Sequence, residues 1–272
     1  MVLKVGHIKS LSLIDHKNLI DLISKMIEKK SYAHIVQLDL TLFIKTLHNK
    51  KLRSIINKAD LVIPKGKFFV WGLKKLFPHL VLKEKIAAQS HDDSEQSDED
   101  KLDDHHRDYV DWSEKFDYSN LSLSLLRHFE TRGVRFFFIG DTLENVNLAF
   151  KHLKQGFPGI QILGSHPKSQ LKRQQKEILE KLRKVSPNIL FVDIKKGKQE
   201  QWIFDHKESI EKTICIGLDR DIRMFAGKIK GIDELFDRFI KGQWMFAFRA
   251  FYFLFLIFLY KTFLKKEIQC VG

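Results

Sequence analysis

The sequence predicts an α/β protein built on a mainly parallel sheet flanked by helices. Short apolar runs alternate with amphipathic stretches of about 10–15 residues, the rhythm of βαβ units. The run Leu61-Val62-Ile63 stops at Pro64 and Gly66, as a strand does when it ends in a turn before a new apolar segment. At 44% hydrophobic composition, 272 residues bury a substantial core in one large domain or two small ones.

Val2–Ile8 reads as a first strand or an extended lead-in. Ser12 and Asp15 supply a helix-start cap. Leu19, Ile20, Leu22, Ile23, Met26 and Ile27 then recur at helical spacing, and Lys29-Lys30 suit the negative end of the helix dipole. Ala33–Leu38 is a short strand, and Thr41–Asn57 is helical in two pieces. After Leu61–Ile63, Pro64 has no N–H to continue a ladder. Gly66 lets the chain turn and a ligand approach where a Cβ would clash. Open α/β folds bind ligands at such carboxyl ends, and the residue displayed there is Lys65. Phe68–Leu76 is an amphipathic helix.

Gln89–Asp104 is polar, acidic and nearly free of large apolar residues, so it cannot repay the entropy of folding. It reads as a disordered, solvated insertion. Beyond it, Ser119–Glu130 is a helix stopped by Gly133, and Val134–Ile139 is a buried strand ending at Gly140-Asp141. Thr142–Gln155 is a helix, Ile160–Leu163 a strand, Ser169–Val185 a strongly basic helix and Asn188–Ile194 a strand. Lys198–Ser209 is a helix and Thr213–Leu218 a strand. The chain thus divides into a first α/β half (1–83), an acidic insertion (84–116), a second α/β half (117–241) and a C-terminal hydrophobic helix in a tail (242–272). In that tail Trp244–Tyr260 is almost wholly apolar and aromatic, broken by Arg249 and flanked by Lys241, Lys261, Lys265 and Lys266. It is shorter than the roughly 20 residues of a bilayer span. Aromatics with flanking lysines suit a helix lying in the headgroup region. A short span and a core or oligomer-interface helix are the alternatives.

The net charge is +13, yet His91–Trp112 holds ten acids and two bases, which leaves +21 on the remainder. A body that basic is drawn to membrane surfaces, diphosphates or nucleic acid. No recognition motif supports nucleic acid, and no Gly-x-Gly-x-x-Gly follows the first strand to support a nicotinamide enzyme. Two distant cysteines, Cys215 and Cys270, argue against a disulfide framework or a thiolate metal site and fit a reducing compartment. No metal or cofactor is expected. His105-His106 reads as solvated loop, and Cys270 as a plain terminal cysteine rather than an acylation site. Met1–Ser10 lacks the apolar core of a secretory signal.

Four stretches in order carry a family resemblance: Ala33–Leu38, Ala59–Gly66, Phe116–Leu121 ahead of the strand at Val134, and Lys198-Gln199-Glu200-Gln201-Trp202-Ile203. Ala226-Gly227-Lys228-Ile229-Lys230 adds a fifth. Together, over roughly residues 3 to 240, the chain resembles the WecG/TagA/CpsF glycosyltransferases. The resemblance implies a Rossmann-like catalytic domain that transfers an N-acetylhexosamine, typically N-acetylmannosamine, from a UDP-sugar to a polyprenyl-diphosphate-linked acceptor. It implies inversion at the anomeric centre without a metal. It places the protein at the cytoplasmic face of the membrane, held peripherally by a C-terminal appendage whose part Trp244–Tyr260 would play.

Such a transfer needs a base for the acceptor hydroxyl and positive charge or N–H donors for the departing UDP. The family's Pro-Asp-Gly turn, whose Asp is the proposed base, is Pro64-Lys65-Gly66 here. A lysine is protonated at neutral pH and takes no proton unless burial among cations lowers its pKa. The family's Thr-Leu-Asn is Gln37-Leu38-Asp39, its Thr-Gly-Ser-Asp is Asp117-Tyr118-Ser119-Asn120, and its Gly-Ser-Pro is Lys195-Lys196-Gly197. Its Gly-Gly-Ala-Phe-Asp falls at about Arg220-Asp221-Ile222-Arg223-Met224. Carried over, the catalytic positions are Lys65, Gln37 and Asp39. The substrate-binding positions are Gly66, Asn120, Gly140, Asp141, Lys198, Gln199, Glu200 and Arg223. N–H groups at the helix start of Lys198 suit phosphate. Three readings are open: an inactive site, a base moved to Asp39, Asp117 or Asp193, or a more anionic ligand. If inactive, the chain would be a membrane-surface scaffold or regulatory protein, with the acidic insertion as a partner-binding segment. A second copy of the chain is a further candidate partner.

Overall fold

The computed structural model describes residues 2–5, 7–76, 118, 120–228, 251, 254, 255, 270 and 271. The acidic insertion, Asp117, and Trp244–Tyr260 apart from Phe251, Leu254 and Phe255 lie outside the described residues. Those three are helical and exposed. Among the described residues no helix is long and apolar enough to cross a membrane.

The first strand is in fact a pair. β1 (Val2–Val5) and β2 (Ile8–Ser12) run antiparallel, and β1 also pairs with β9 (Cys270–Val271). Ser12 therefore ends β2, and Asp15 alone caps α1 (His16–Glu28), its Oδ1 accepting from the Asn18 N–H at 2.9 Å. β3 (Ala33–Leu38) leads to α2 (Leu40–His48) and α3 (Lys50–Ile56), the two helical pieces the pattern predicts. β4 (Leu61–Pro64) precedes α4 (Lys67–Leu76). The second half runs α5 (Leu121–His128), β5 (Arg135–Gly140), α6 (Leu143–Gly156), β6 (Gln161–His166), α7 (Gln175–Val185), β7 (Ile189–Asp193), α8 (Lys198–Asp205), β8 (Ile214–Gly217) and α9 (Asp221–Phe225). Three predicted helices are shorter than expected, the first of them Ser119–Glu130, which is helical over Leu121–His128. Residues 169–174 form turns anchored by buried Leu171 and by the Pro167 carbonyl, which accepts from Gln170. α8 stops at Asp205, where His206 leaves the helical conformation and turns its ring nitrogen Nδ1 onto the Trp202 carbonyl at 2.6 Å, and one 3-10 turn follows.

Six strands make one parallel sheet in the order β4-β3-β8-β7-β5-β6. Because successive strand residues face opposite sides, each strand feeds two cores. Ile35, Ile63, Phe136, Phe138, Phe191 and Ile216 pack against α1, α5, α6 and α9. On the other face, Val36 and Val62 meet β1, β2, α2, α3 and α4, while Phe137, Leu190, Val192 and Cys215 meet α7 and α8. Strands buried on both faces are continuous apolar runs, which is why they were legible. The polar residues collect where the runs end.

Candidate active site

The sheet's connections decide where a ligand can enter. The crossover after β5 carries the chain outward to β6, and the crossover after its neighbour β7 carries it the other way to β8. Adjacent strands whose connections diverge leave a crevice beyond their carboxyl ends. A cavity of about 250 Å³ opens there. Its walls are mostly charged: Lys45, Lys168, Lys195, Lys196, Arg220 and Arg223 face Asp141, Asp193 and Asp219, with Gln199, Ile194 and Leu218 between them.

The acids stand in a row because each central strand ends in or runs into an aspartate at its carboxyl end: Asp39 directly after β3, Asp141 directly after β5, Asp193 ending β7 and Asp219 two residues past β8. Each is engaged. Lys196, from the β7–α8 loop, bridges Asp39 and Asp219, the latter at 2.6 Å, while the Lys45 ammonium donates to the Lys196 carbonyl at 2.9 Å. Burial opposes charge on Lys196, but the two carboxylates hold its pKa above the usual lysine range. Burial would likewise raise Asp219, and Lys196 instead holds it low. Lys45 is pushed down by burial and by Lys195. The Asp193 carboxylate accepts from the backbone N–H groups of Arg220 (3.1 Å) and Ile222 (3.2 Å), which pins the turn into α9. Burial first, then the nearby Asp221, raises its pKa to about 6.

That shift has a defined pH signature. An acid whose folded pKa is raised contributes most below its unfolded value near 3.9, and the contribution is lost as pH rises through about 6. His7 and His34, both lowered to about 4 by burial (His7 also by Arg53), act oppositely and lose stability as pH falls below 6.5. Asp193→Asn isolates the first effect. Relative to that variant, the wild type should lose on the order of 3 kcal/mol between pH 4 and 6.5 in urea titrations. A pH-independent difference would refute the assignment.

Of the residues expected at the site, Asp141, Gln199 and Arg223 line the cavity. Gly140 lies directly beneath it against Asp193. Asp39 sits beside it, with Oδ1 capping α2 through the Leu42 N–H at 2.8 Å. Glu200 is buried, accepts from the Gly197 N–H at 2.5 Å and is raised by that burial. Lys198 is exposed and does not line the cavity. The first N–H groups of α8, those of Lys198 and Gln199, donate to the Lys195 carbonyl at 2.8 and 3.1 Å, so anion-holding capacity rests on side chains rather than on this helix start. Asn120 borders a different groove, with Arg127 and His128.

Lys65 is not displayed to the cavity. Its ammonium is buried and makes no hydrogen bond among the described residues, and it lies 3.6 Å from Asp221, whose other oxygen accepts from the buried Ser122 hydroxyl at 2.5 Å. Gly66 adopts φ +94, with open space where a Cβ would stand. Gln37, on the same face of the sheet as Lys65 by strand alternation, is buried with neither end of its amide hydrogen-bonded among the described residues. Sequence reasoning missed Lys45, Lys168, Asp219, Asp221 and Ser122. Asp219 was findable, because it stands just past the carboxyl end of an apolar run, as Asp39 and Asp141 do. The others enter from helices and loops with no local signal.

A family model described as "Glycosyl transferase WecG/TagA/CpsF family" matches residues 4–89 and 109–248. The chain is similar to an N-acetylglucosaminyldiphosphoundecaprenol N-acetyl-beta-D-mannosaminyltransferase of Staphylococcus aureus (strain NCTC 8325 / PS 47), 27% identical over 110 residues, which is 40% of this chain and 42% of that protein. It is also similar to a protein of the same name from Bacillus spizizenii (strain ATCC 23059 / NRRL B-14472 / W23), 27% identical over 127 residues, 47% of this chain and 48% of that one. The chain spans less than half the length of these two relatives. The family match, in contrast, runs through both α/β halves and every strand that lines the crevice, and the chain belongs to the WecG/TagA/CpsF glycosyl transferase family.

Proposed function

We propose that this chain is a glycosyltransferase that moves an N-acetylhexosamine, N-acetylmannosamine by analogy with its relatives, from a UDP-sugar to a polyprenyl-diphosphate-linked N-acetylglucosamine, with inversion. The observation that carries the reading is the crevice itself: six cations against three acids at the divergence of β5 and β7, in a chain of this family. A cavity of that charge suits a nucleoside diphosphate, and the cations stabilise the charge that develops as UDP departs. Arg223, Lys168 and Arg220 belong to that donor side, and Gly140 gives the backbone its close approach.

In this reading the acceptor's proton goes to Asp193. It is one of the two Asp candidates within the described residues, it lines the cavity, and its raised pKa brings it toward working pH, where a general base is most effective. Asp39, tied to the α2 start and to Lys196, positions the ammonium instead. Gln37 and Lys65 form the altered floor of the acceptor side, Gly66 turns the chain beside them, and Asn120 borders the neighbouring groove. Gln199 and Glu200 brace the β7–α8 loop, with Lys198 on its outer rim. The protein works peripherally on the inner face of the cell membrane, reached through Trp244–Tyr260. The exposed Phe251, Leu254 and Phe255 support that placement.

One observation favours a second reading, a non-catalytic relative: the ammonium at the family's base position is buried against Asp221. UDP release decides between them. Purified protein in detergent, given UDP-N-acetylhexosamines and a short-chain polyprenyl-diphosphate N-acetylglucosamine, is expected to release UDP only with acceptor present. Asp193→Asn should slow release roughly 10²–10⁴-fold. A wild type that neither releases nor binds UDP would leave the scaffold reading standing.

A further inference from the structure

The conformation of Asp141 is unusual. It is a non-glycine residue at φ +48, in the left-handed region, immediately after β5. Strained backbone of this kind persists where surrounding structure holds it and clusters at functional sites. Its side chain is 3% exposed although it lines a charged crevice. What it does with that buried carboxylate is specific. Oδ2 accepts from Arg223 Nε at 2.8 Å, and Oδ1 accepts from the Thr142 N–H at 2.8 Å and lies 3.6 Å from the Lys168 ammonium. The Asp141 carbonyl also accepts from the Lys168 N–H at 3.0 Å. One residue thus ties down two cations that arrive from different elements, the β6–α7 loop and α9. Burial opposes charge on Asp141, but the Arg223 bond and the Thr142 N–H keep its pKa below the usual carboxylate range.

The cations keep their outer surfaces open. The Arg223 side chain is 43% exposed and that of Lys168 35%. Arg223 spends only Nε on Asp141, so its terminal NH₂ groups are without a hydrogen bond among the described residues, and the residue lines the cavity. Two long cationic side chains left free would each lose rotamer entropy on gripping a ligand. Anchored from behind, they are already ordered.

We propose that Asp141 is a positioning residue that holds Arg223 and Lys168 as a preformed two-cation clamp for a diphosphate. This rests on the reading of the cavity as the donor site and gives that site a specific gripping element. Asp141 itself touches no ligand, contrary to the expectation that Gly140-Asp141 contacts the nucleotide.

The sign of one measurement separates this from simple electrostatics. Removing a negative charge from an anion-binding crevice should tighten anion binding by Coulomb's law alone. Removing a positioning group should weaken it. Asp141→Asn is a suitable probe because asparagine tolerates the left-handed region and its carbonyl still accepts from Thr142. Binding of inorganic pyrophosphate and of UDP would be measured by calorimetry on the full chain, for the wild type, Asp141→Asn, Arg223→Gln/Lys168→Gln and the triple variant. The expected result is a tenfold or greater weakening of pyrophosphate binding by Asp141→Asn, and less than twofold when the same change is made in the Arg223→Gln/Lys168→Gln background. Tighter or unchanged binding in Asp141→Asn would overturn the proposal. So would an equal loss in both backgrounds, which is what general structural damage produces. If pyrophosphate follows the expected pattern but UDP binds no better than pyrophosphate, the clamp stands and the UDP-sugar reading falls.

Discussion

Lys65→Asp is expected to destabilise the protein by roughly 3–5 kcal/mol, the cost of breaking a buried ion pair by removing one partner. The Lys65 and Asp221 side chains are 11% and 5% exposed, and their charges lie 3.6 Å apart. The substitution removes the cation and adds a second carboxylate to a pocket where Asp221 is already committed to Ser122. Lys65→Met should cost less, since it keeps the volume and adds no charge. Lys65→Met with Asp221→Asn should recover much of the loss, because replacing both members of a buried pair is often neutral, and asparagine still accepts from Ser122. Urea midpoints of the four proteins test this. A Lys65→Asp protein within about 0.5 kcal/mol of wild type would show that the pair is not formed. The result also bears on catalysis. Restoring the family's aspartate at this turn cannot be read from activity alone, because the carboxylate would arrive beside Asp221. Lys65→Asp in an Asp221→Asn background is the informative comparison.

Gly140→Ala is expected to cost at least about 4 kcal/mol, in the range reserved for severe core errors, and to abolish donor binding with it. A Cβ at Gly140 would overlap the Asp193 carbonyl oxygen and stand 2.6 Å from its carbon. Both are backbone atoms of neighbouring strands, so neither can swing away. The residue also sits at φ +146, which side chains rarely adopt. The strand separation would have to grow where Asp193 and Asp141 take their places in the crevice. Gly133→Ala is the control: at φ +69 but with nothing within 4 Å, it carries only the left-handed penalty of about 1–2 kcal/mol. Thermal melts and soluble yield distinguish the two. Similar losses in both would mean that backbone strain, rather than the close approach to Asp193, sets the cost.

The central strands of the main sheet, β3, β5, β7 and β8, were legible because strands buried on both faces demand continuous apolar runs. Ala33–Leu38 matches its predicted bounds residue for residue. The basic stretch from Ser169 was read too far into a helix because its charge and spacing continue through Lys172 and Arg173, while the turn at Pro167 and the burial of Leu171 are tertiary facts. The N-terminal pair of strands departs from the single strand expected over Val2–Ile8, although Gly6 is a turn-forming residue that marks a break between Val5 and Ile8.

By itself the sequence determined the fold class, the family and the edge of the sheet where chemistry collects, since those follow from local periodicity and from which residue ends each strand. It also showed that Lys65, Lys195 and Lys196 depart from the family pattern. Only the tertiary structure decided where those charges point. Lys65 turns inward to Asp221, Lys196 is held between Asp39 and Asp219, and Asp141 reaches Arg223 across 82 residues of chain. Charge pairing at that distance is set by how loops meet at the sheet's end, and a sequence read along its length carries no term for it.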